Sequence, residues 1–311
     1  MTAVDPLVAI GRSRLLHDSV EHLAAAGHRF AAIVTAPPSP EYDVGPAEFA
    51  VLADRLGCEL FVVEKGGVPK EVAAAVERHR PAAGISVNWQ YVLPGPFLDL
   101  FPHGLLNLHL GNLPDYKGNA TVNWSILNGE NEIHANVHRM AVELDAGDVI
   151  ARTPIPLDDT TYVGDVLARA RELAPELFRE ALDRLAEDPA ACVVPGSTAG
   201  LRCYPRLPED GLLDWSRPAW EVARLVRASS RPYPGAYSFL GGRRVTVWRA
   251  AVADRTDFLA VPGHVLGPGP GSTLLVACGD GALELQEVTV GDDAVEPAAL
   301  TRSIRARFSS S

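Results

Sequence analysis

The sequence predicts an α/β fold in which a Rossmann-like, open and mostly parallel sheet is followed by a smaller C-terminal β-barrel of the OB-like kind. Three observations predict it. Short apolar runs alternate with segments of helical periodicity through the first half of the chain. A stretch rich in proline, glycine and serine interrupts the chain near residue 200. Short strand-like segments, separated by glycine and proline turns, follow it.

The first half alternates between strand and helix patterns. The opening strand is the apolar run 7–10, and after a glycine the apolar residues recur at helical spacing over 15–26. Such alternation indicates parallel strands joined by crossover helices. In chain order the remaining elements are strands 30–35 and 61–64, helix 68–79, strands 83–87 and 105–109, helix 122–128, strands 136–140 and 149–154, and an amphipathic helix over about 163–186.

The second half predicts a separate, smaller unit. We predict a catalytic domain over 1–195, a linker over 196–208 and a barrel domain over 209–311. Turns built from glycine, proline and aspartate separate the short strands of the barrel domain, as is typical of small antiparallel barrels. Its predicted elements are helix 219–228 and strands 236–239, 244–250, 274–277 and 283–290.

Charge is distributed unevenly along the chain. The net charge is −11; residues 1–210 carry 17 basic and 29 acidic side chains, whereas residues 211–311 carry 11 basic and 10 acidic ones. Nucleic-acid affinity comes largely from lysine and arginine side chains that neutralise phosphates. The acidic first domain therefore argues against a nucleic-acid partner.

Other features narrow the class of protein. No run approaches the roughly 18 to 20 consecutive apolar residues that a membrane helix needs, and the N-terminus lacks the pattern of a signal peptide. We therefore expect a cytoplasmic protein without a membrane partner. The four cysteines are scattered, which predicts reduced thiols and no metal site. The first strand is not followed by Gly-x-Gly-x-x-Gly, so a nicotinamide cofactor is not expected.

Two polar residues come where a predicted strand ends. Asn107 and His109 are two residues apart, so both side chains lie on the same face of an extended strand. Ligands of open α/β sheets bind beyond the carboxyl ends of the strands. An Asn-x-His pair alone is weak, because a hydrogen-bonded structural pair is the more common explanation of so short a motif.

A third polar residue extends the pattern. Asp145 lies in a Leu-Asp-Ala-Gly-Asp turn, 36 residues after His109, although an isolated aspartate of this kind more often caps its own turn. Together with Asn107, Pro114 and Gly118, these residues resemble the 10-formyltetrahydrofolate-dependent formyltransferase family. That family includes methionyl-tRNA formyltransferase, glycinamide ribonucleotide formyltransferase and sugar N-formyltransferases. The resemblance continues through the segments 210–216, 227–236 and 245–248 and so covers nearly the whole chain.

The resemblance implies transfer of a formyl group from 10-formyltetrahydrofolate to an amine. Attack of an amine on a formyl carbon makes the formyl oxygen negative, and donors arranged around that oxygen lower the barrier. Asn107 and His109 can be these donors, and Asp145 can accept the proton of the amine. The resemblance adds a folate site and two supporting residues. We expect folate contacts at Trp89, Gln90, Val92, Val142 and Leu144, and support from Asn136 and His138. A core position explains Trp89 equally well, and a hydrogen-bonded sheet histidine is the more common explanation of His138.

The loop after His109 departs from the family pattern His-x-Ser-Leu-Leu-Pro, because glycine and asparagine replace serine and leucine. Glycine permits backbone angles that serine avoids, so the path of the loop and the acceptor pocket are expected to differ. His134 and Asn136 are also unusual for their stretch and could reach the acceptor. The predicted substrate-loop residues are Gly111, Asn112, Pro114, Lys117 and Gly118.

The acceptor class follows from charge and from the resemblance. The segment 36–49, where the tRNA enzyme has a basic insertion, holds three acids and no base, which argues against tRNA. The chain looks closest to sugar N-formyltransferases, so we expect a small-molecule amine or hydroxylamine, such as a nucleotide-linked amino sugar. Methionyl-tRNA formyltransferase is the alternative, and a folate-binding pseudoenzyme is a remote one. The sequence does not decide which amine is the acceptor, whether the protein forms a homodimer or what the barrel domain does.

Overall fold

A computed structural model describes residues 4–310. Contacts divide the chain into two units, which do not follow one simple cut along the sequence. The first unit holds the chain up to Thr121 with Ile133–Ile155 and Leu167–Cys203, and the second holds Val122–Glu132, Pro156–Val166 and Tyr204 onward. Two short segments of the first half therefore belong with the C-terminal part. The division at 195 and 209 expected from sequence stays a prediction.

The first unit is built on a sheet whose seven described strands run in the order β3, β2, β1, β4, β5, β7, β8. The strands from β3 to β5 are parallel, and β7 runs antiparallel to β5. A separate two-residue ladder joins β6 to β9. The strands are β1 Leu7–Gly11, β2 Phe30–Thr35, β3 Glu59–Val62, β4 Ala83–Val87, β5 Leu105–Leu110, β6 Lys117–Gly118, β7 Glu132–Arg139, β8 Val149–Pro156 and β9 Arg202–Cys203.

Burial explains why these runs are strands. All residues of β1 and β4 are buried, as expected for parallel strands covered on both faces by helices. The sheet packs against helices whose apolar residues recur along one stripe, such as Leu16, Val20 and Leu23 in α1. The helices of the first unit are α1 Arg14–Ala25, α2 Pro46–Leu56, α3 Lys70–His79 and α4 Gly95–Leu98, together with α6 Val163–Glu187 from Leu167 onward, whereas α5 Thr121–Asn128 lies almost wholly in the second unit.

The antiparallel pairing of β5 with β7 positions the polar residues. In this ladder Asn107 lies opposite His138, and His109 lies opposite Asn136. The two residues of each pair lie opposite each other at a distance that side chains can span. The structure thereby brings two segments that are about 30 residues apart into one cluster.

The second unit is an antiparallel half-barrel in the order β12, β13, β14, β11, β10, β16, and β15 pairs with β14. A single bridge between His264 and Arg307 links β12 to the segment before β16. Trp215, Leu283 and Phe308 belong to its core. The elements are α7 Ala219–Ser229, β10 Ala236–Leu240, β11 Arg243–Ala253, β12 Val265–Pro268, β13 Leu274–Ala277, β14 Ala282–Val290, β15 Asp293–Val295 and β16 Phe308–Ser309.

The predicted fold class is confirmed: a mostly parallel α/β unit and an antiparallel, barrel-like C-terminal unit are both present. Two strands were expected to begin too late: β3 is Glu59–Val62 and not 61–64, and β7 is Glu132–Arg139 and not 136–140. Between residues 4 and 310, none of the helices combines the length and the apolar character that a membrane span requires.

Candidate active site

A cleft of about 550 Å³ lies at the carboxyl ends of β1, β4 and β5 in the first unit. Asn107 and His109 face it from β5, and Asp145 faces it from the turn between β7 and β8. Ligands of open α/β sheets bind at this edge, and the volume lies within the range of small-molecule sites. The three residues expected to carry the chemistry therefore share one cavity wall.

His109 is held by the backbone of the following loop. Its Nε2 lies 2.8 Å from the carbonyl oxygen of Tyr116, and its side chain is 7% exposed. A carbonyl oxygen only accepts hydrogen bonds, so Nε2 must carry the proton and donate it. The other ring nitrogen, Nδ1, lies 3.5 Å from Oδ2 of Asp145. His109 thus presents Nδ1 to the carboxylate.

Gly111 leaves the space that the His109 ring occupies. A Cβ atom at Gly111 would lie 2.5 Å from Nε2 of His109 and 2.6 Å from the Tyr116 carbonyl oxygen. Both distances are too short for any side chain without a shift of the ring or the backbone. The glycine that replaces the usual serine therefore permits the contact between His109 and Tyr116.

Asp145 lies between two histidines. The backbone N–H of Gly118 donates to its Oδ2 at 2.8 Å, while its Oδ1 lies 3.6 Å from Nε2 of His138. The rings of His109 and His138 meet edge to face, with centroids 6.1 Å apart. The carboxylate thus has a fixed position from which it can exchange a proton with a neighbouring group.

His138 orients the amide of Asn107. Its Nδ1 donates to the carbonyl oxygen of Arg139 at 2.9 Å, so the proton of a neutral ring lies on Nδ1. Burial lowers the pKa of His138 to about 4, and the repulsion of His109 adds to this, although Asp145 and the Arg139 carbonyl oppose it. The bare Nε2 then accepts from Nδ2 of Asn107 at 3.2 Å. This bond fixes which way the amide points and leaves its second N–H for another acceptor.

Backbone strain accumulates around the cleft. Asn88, Tyr116 and Asp145 have φ angles of 54°, 54° and 46°, in the left-handed region that residues other than glycine rarely adopt. Such conformations cost on the order of 1–3 kcal/mol each and persist where the surroundings impose them. In this chain they turn the Tyr116 carbonyl toward His109 and the Asp145 carboxylate toward both histidines.

Comparison with known families decides the assignment. The family model described as "Formyl transferase" matches residues 14–182, which is more than half of the chain, and that of "Formyl transferase, C-terminal domain" matches residues 207–305. This chain belongs to the formyl transferase family. The resemblance inferred from the sequence is therefore confirmed.

Three solved structures share the fold of this formyl transferase. WlaRD, a sugar 3N-formyl transferase solved with dTDP and 5-N-formyl-THF, is 13% identical, with a TM-score of 0.66 over 91% of this chain and 98% of that one. The N-formyltransferase from Helicobacter canadensis, solved with folinic acid and dTDP-3-aminofucose, is 14% identical, with a TM-score of 0.66 over 90% and 98%. HypX from Aquifex aeolicus, solved with tetrahydrofolic acid, is 18% identical, with a TM-score of 0.60 over 94% of this chain.

This chain spans 46% of HypX, about half its length. At these identities the likeness concerns the fold alone. The positions of the predicted residues in this formyl transferase therefore have to be taken from its own geometry.

Most of the predicted site residues line the cleft. All five residues expected to contact folate do so, as do the three catalytic candidates and His138. Trp89 is half-buried, and its Nε1 is buried without a hydrogen-bond partner among the described residues. The lining residues that were predicted are Trp89, Gln90, Val92, Asn107, His109, Gly118, His138, Val142, Leu144 and Asp145.

The remaining predicted residues lie behind or beside the cleft. Gly111 packs against His109, and the Nδ1 of His134 donates to the side chain of Asn112 at 2.9 Å. Lys117 is buried, and its Nζ donates to the carbonyl oxygens of Ser197 and Ala199. Further predicted residues away from the cleft wall are Pro114, which is exposed, and Asn136, which is fully buried. Their contribution to substrate binding stays a prediction.

Three residues with polar contacts at the site are among those that sequence reasoning missed. Tyr116 acts through its backbone carbonyl, which leaves no side-chain signal. Arg12 follows β1 directly, a position that the rule for strand ends could have singled out, and its guanidinium donates to the carbonyl oxygens of Asn88 and Pro37. Arg202 reaches the cleft through the ladder of β9 with β6, a pairing between distant segments.

Proposed function

We propose that this protein transfers a formyl group from 10-formyltetrahydrofolate to the primary amine or hydroxylamine of a small molecule, such as a nucleotide-linked amino sugar. The observation that carries the proposal is the cluster of Asn107, His109 and Asp145, held by backbone contacts at one wall of a cleft. Family membership supports formyl transfer, and the residues of the cluster are of the types that this chemistry needs.

Part of the cleft lining suits a folate ring system. Val92, Val142 and Leu144 are large apolar residues that are 83%, 64% and 46% exposed there. Apolar side chains exposed together in a cleft mark a ligand surface. These residues would hold the pterin, and the bound folate would supply the formyl group.

Each residue of the cluster has a distinct task. Asn107 directs its second N–H toward the developing negative charge on the formyl oxygen, because His138 occupies the first. Asp145 takes up the proton that the attacking amine releases, either directly or through Nδ1 of His109, 3.5 Å away, and returns it to the folate nitrogen as the bond from that nitrogen to the formyl carbon breaks and tetrahydrofolate leaves. His109 donates its Nε2–H to the Tyr116 carbonyl, which holds the ring in one orientation, so in this proposal Asn107 alone takes the role of donor to the formyl oxygen that the sequence analysis gave to both residues.

Charge supports an anionic small acceptor. Arg12 and Arg202 both line the cleft. The carboxylate that lines it, Asp145, lies where the reaction would take place. Arginine pairs well with the oxygens of phosphates and carboxylates. The similarity to structures solved with dTDP or dTDP-3-aminofucose agrees with a nucleotide-linked amino sugar. The acidic first domain disfavours the alternative of methionyl-tRNA.

The test is release of tetrahydrofolate from 10-formyltetrahydrofolate, followed spectroscopically. Acceptors would include nucleotide-linked amino sugars, hydroxyornithine and charged initiator Met-tRNA, with Asp145→Asn as the control variant. Release with a small amine that is lost in Asp145→Asn supports the proposal. Release with Met-tRNA alone would replace the proposed acceptor, and folate binding without release on any acceptor would favour a pseudoenzyme.

A further inference from the structure

Two side chains of β7 tie down the loop that follows β5. Asn136 donates from Nδ2 to the carbonyl oxygen of Gly111 at 2.6 Å and to that of His109 at 3.1 Å. His134, two residues earlier on the same face of β7, donates from Nδ1 to Oδ1 of Asn112 at 2.9 Å. The two residues that depart from the family loop pattern are therefore each held by a residue that is unusual for its own stretch.

The buried amide of Asn136 lowers the stability of the fold. Its side chain is 0% exposed, and within residues 4–310 its Oδ1 finds no hydrogen-bond partner. A buried acceptor without a partner is unfavourable, whereas an apolar side chain of similar size would avoid the loss. A third contact, from Nδ2 to the carbonyl oxygen of His134 at 3.1 Å, lies within its own strand. Donation to the loop is the function that distinguishes an amide here from an apolar residue.

The position of the loop decides where His109 can lie. β5 ends at Leu110, so the carbonyl of Gly111 lies beyond the regular strand and is fixed by the Asn136 side chain. The Cα of Gly111 packs directly against the His109 ring, as the 2.5 Å from an added Cβ to Nε2 indicates. A loop displaced at Gly111 would either press on this ring or release it from Tyr116.

We propose that Asn136, together with His134, is a positioning pair that holds His109 in the orientation in which Nε2 donates to Tyr116 and Nδ1 faces Asp145. Neither residue contacts the reacting atoms; both act through residues 111 and 112. The positioning role concerns the geometry of His109, and only its effect on turnover rests on the proposed function.

The direct readout is the tautomer of His109. In protein labelled with 15N-histidine, long-range 1H–15N spectra distinguish a ring protonated on Nε2 from one protonated on Nδ1, and a His109→Gln spectrum assigns the signal. We expect Asn136→Val to move His109 from the Nε2–H pattern toward a mixture of tautomers. We expect kcat/KM to fall at least tenfold in the same variant.

A matched control comes from Asn123 in the second unit, which is also buried and donates from Nδ2 to a single carbonyl oxygen, that of Ala228, at 2.7 Å. Asn123→Val removes a comparable bond, and we expect it to leave the His109 spectrum unchanged and kcat/KM within about threefold of the unmodified protein. A His109 spectrum that responds equally to both variants, or to neither, would overturn the positioning role.

His134→Leu provides a second variant, since it breaks the contact with Asn112 at a half-buried position. It should shift the His109 spectrum in the same direction as Asn136→Val. Should Asn136→Val not fold, the spectrum of His134→Leu decides, and an unchanged His109 pattern there refutes the proposal. Because the spectra need no turnover, an inactive protein would count against the proposed function and still allow the positioning role to be tested.

Discussion

His138 should make the stability of the protein fall as the solution becomes acidic. Its pKa is lowered to about 4 in the folded protein by burial, whereas an unfolded histidine has a pKa of about 6.5. Between these values the unfolded chain binds a proton that the folded protein does not, so stability rises with pH in this window. It is lost as the pH falls from about 6.5 to about 4, and the loss levels off below that.

The magnitude follows from the two pKa values. At pH 5 the unfolded imidazole is protonated by roughly 30 to 1, whereas the folded one is protonated by about 1 to 10, which amounts to about 2 kcal/mol of lost stability relative to pH 7. His138→Gln removes the titration but keeps an oxygen that can accept from Asn107. We expect the variant to lose about 2 kcal/mol less than the unmodified protein over this range.

Urea unfolding followed by tryptophan fluorescence at pH 7, 6 and 5 measures the difference. His22→Gln, on the surface of α1, controls for the removal of a histidine as such. Equal pH dependence of the unmodified protein and His138→Gln would refute the reasoning, since it would mean that folding does not displace the pKa of this ring.

Three further substitutions test the geometry of the site and of its surroundings. Gly111→Ala would place a Cβ 2.5 Å from Nε2 of His109, and overpacking of this kind costs about 1–3 kcal/mol. Steady-state kinetics should therefore show kcat/KM reduced roughly five- to hundredfold. An unchanged kcat/KM would show that the ring moves freely. Asp145→Asn removes the proton acceptor and should lower kcat by at least about 100-fold, while a fluorescence titration finds folate affinity within about threefold; a comparable loss of affinity would instead place Asp145 in folate binding. Lys117→Met removes the donor to the carbonyls of Ser197 and Ala199, and limited proteolysis should then cut this segment faster, unless the lysine is dispensable for its order.

The fold class and the core of the site could be predicted because both depend on local patterns. Apolar runs and helical periodicity gave the strands and helices of the parallel sheet, and Asn107 and His109 share a face because they are two residues apart on one strand. Helix α2 (Pro46–Leu56) was not predicted. It follows a proline-rich stretch, and its N-cap residue is Gly45, whose N–H donates to Glu48, where a serine or aspartate would usually signal a helix start.

The contacts that complete the site could not be predicted from local patterns. The reversal of β7 relative to β5 brings Asn136 and His138 opposite His109 and Asn107, and no local signal distinguishes this pairing from a parallel one. The Tyr116 carbonyl takes part through its backbone, so any side chain would leave the same contact available. Arg202 joins the cleft through pairing of β9 with β6, segments that are far apart in sequence.

Two backbone carbonyls determine which ring nitrogen carries the proton in each histidine of the cluster. The Tyr116 carbonyl requires the proton of His109 on Nε2, and the Arg139 carbonyl requires that of His138 on Nδ1. The two rings therefore present opposite nitrogens to the same carboxylate: Nδ1 of His109 lies 3.5 Å from Asp145, and Nε2 of His138 lies 3.6 Å from it. Because burial keeps His138 neutral, its Nε2 serves Asn107 as an acceptor, and in the proposed mechanism it does not compete for the proton that Asp145 and His109 would exchange. Under the proposed function, one aspartate between two histidines thus provides both a fixed amide donor, through His138 and Asn107, and a proton-accepting pair.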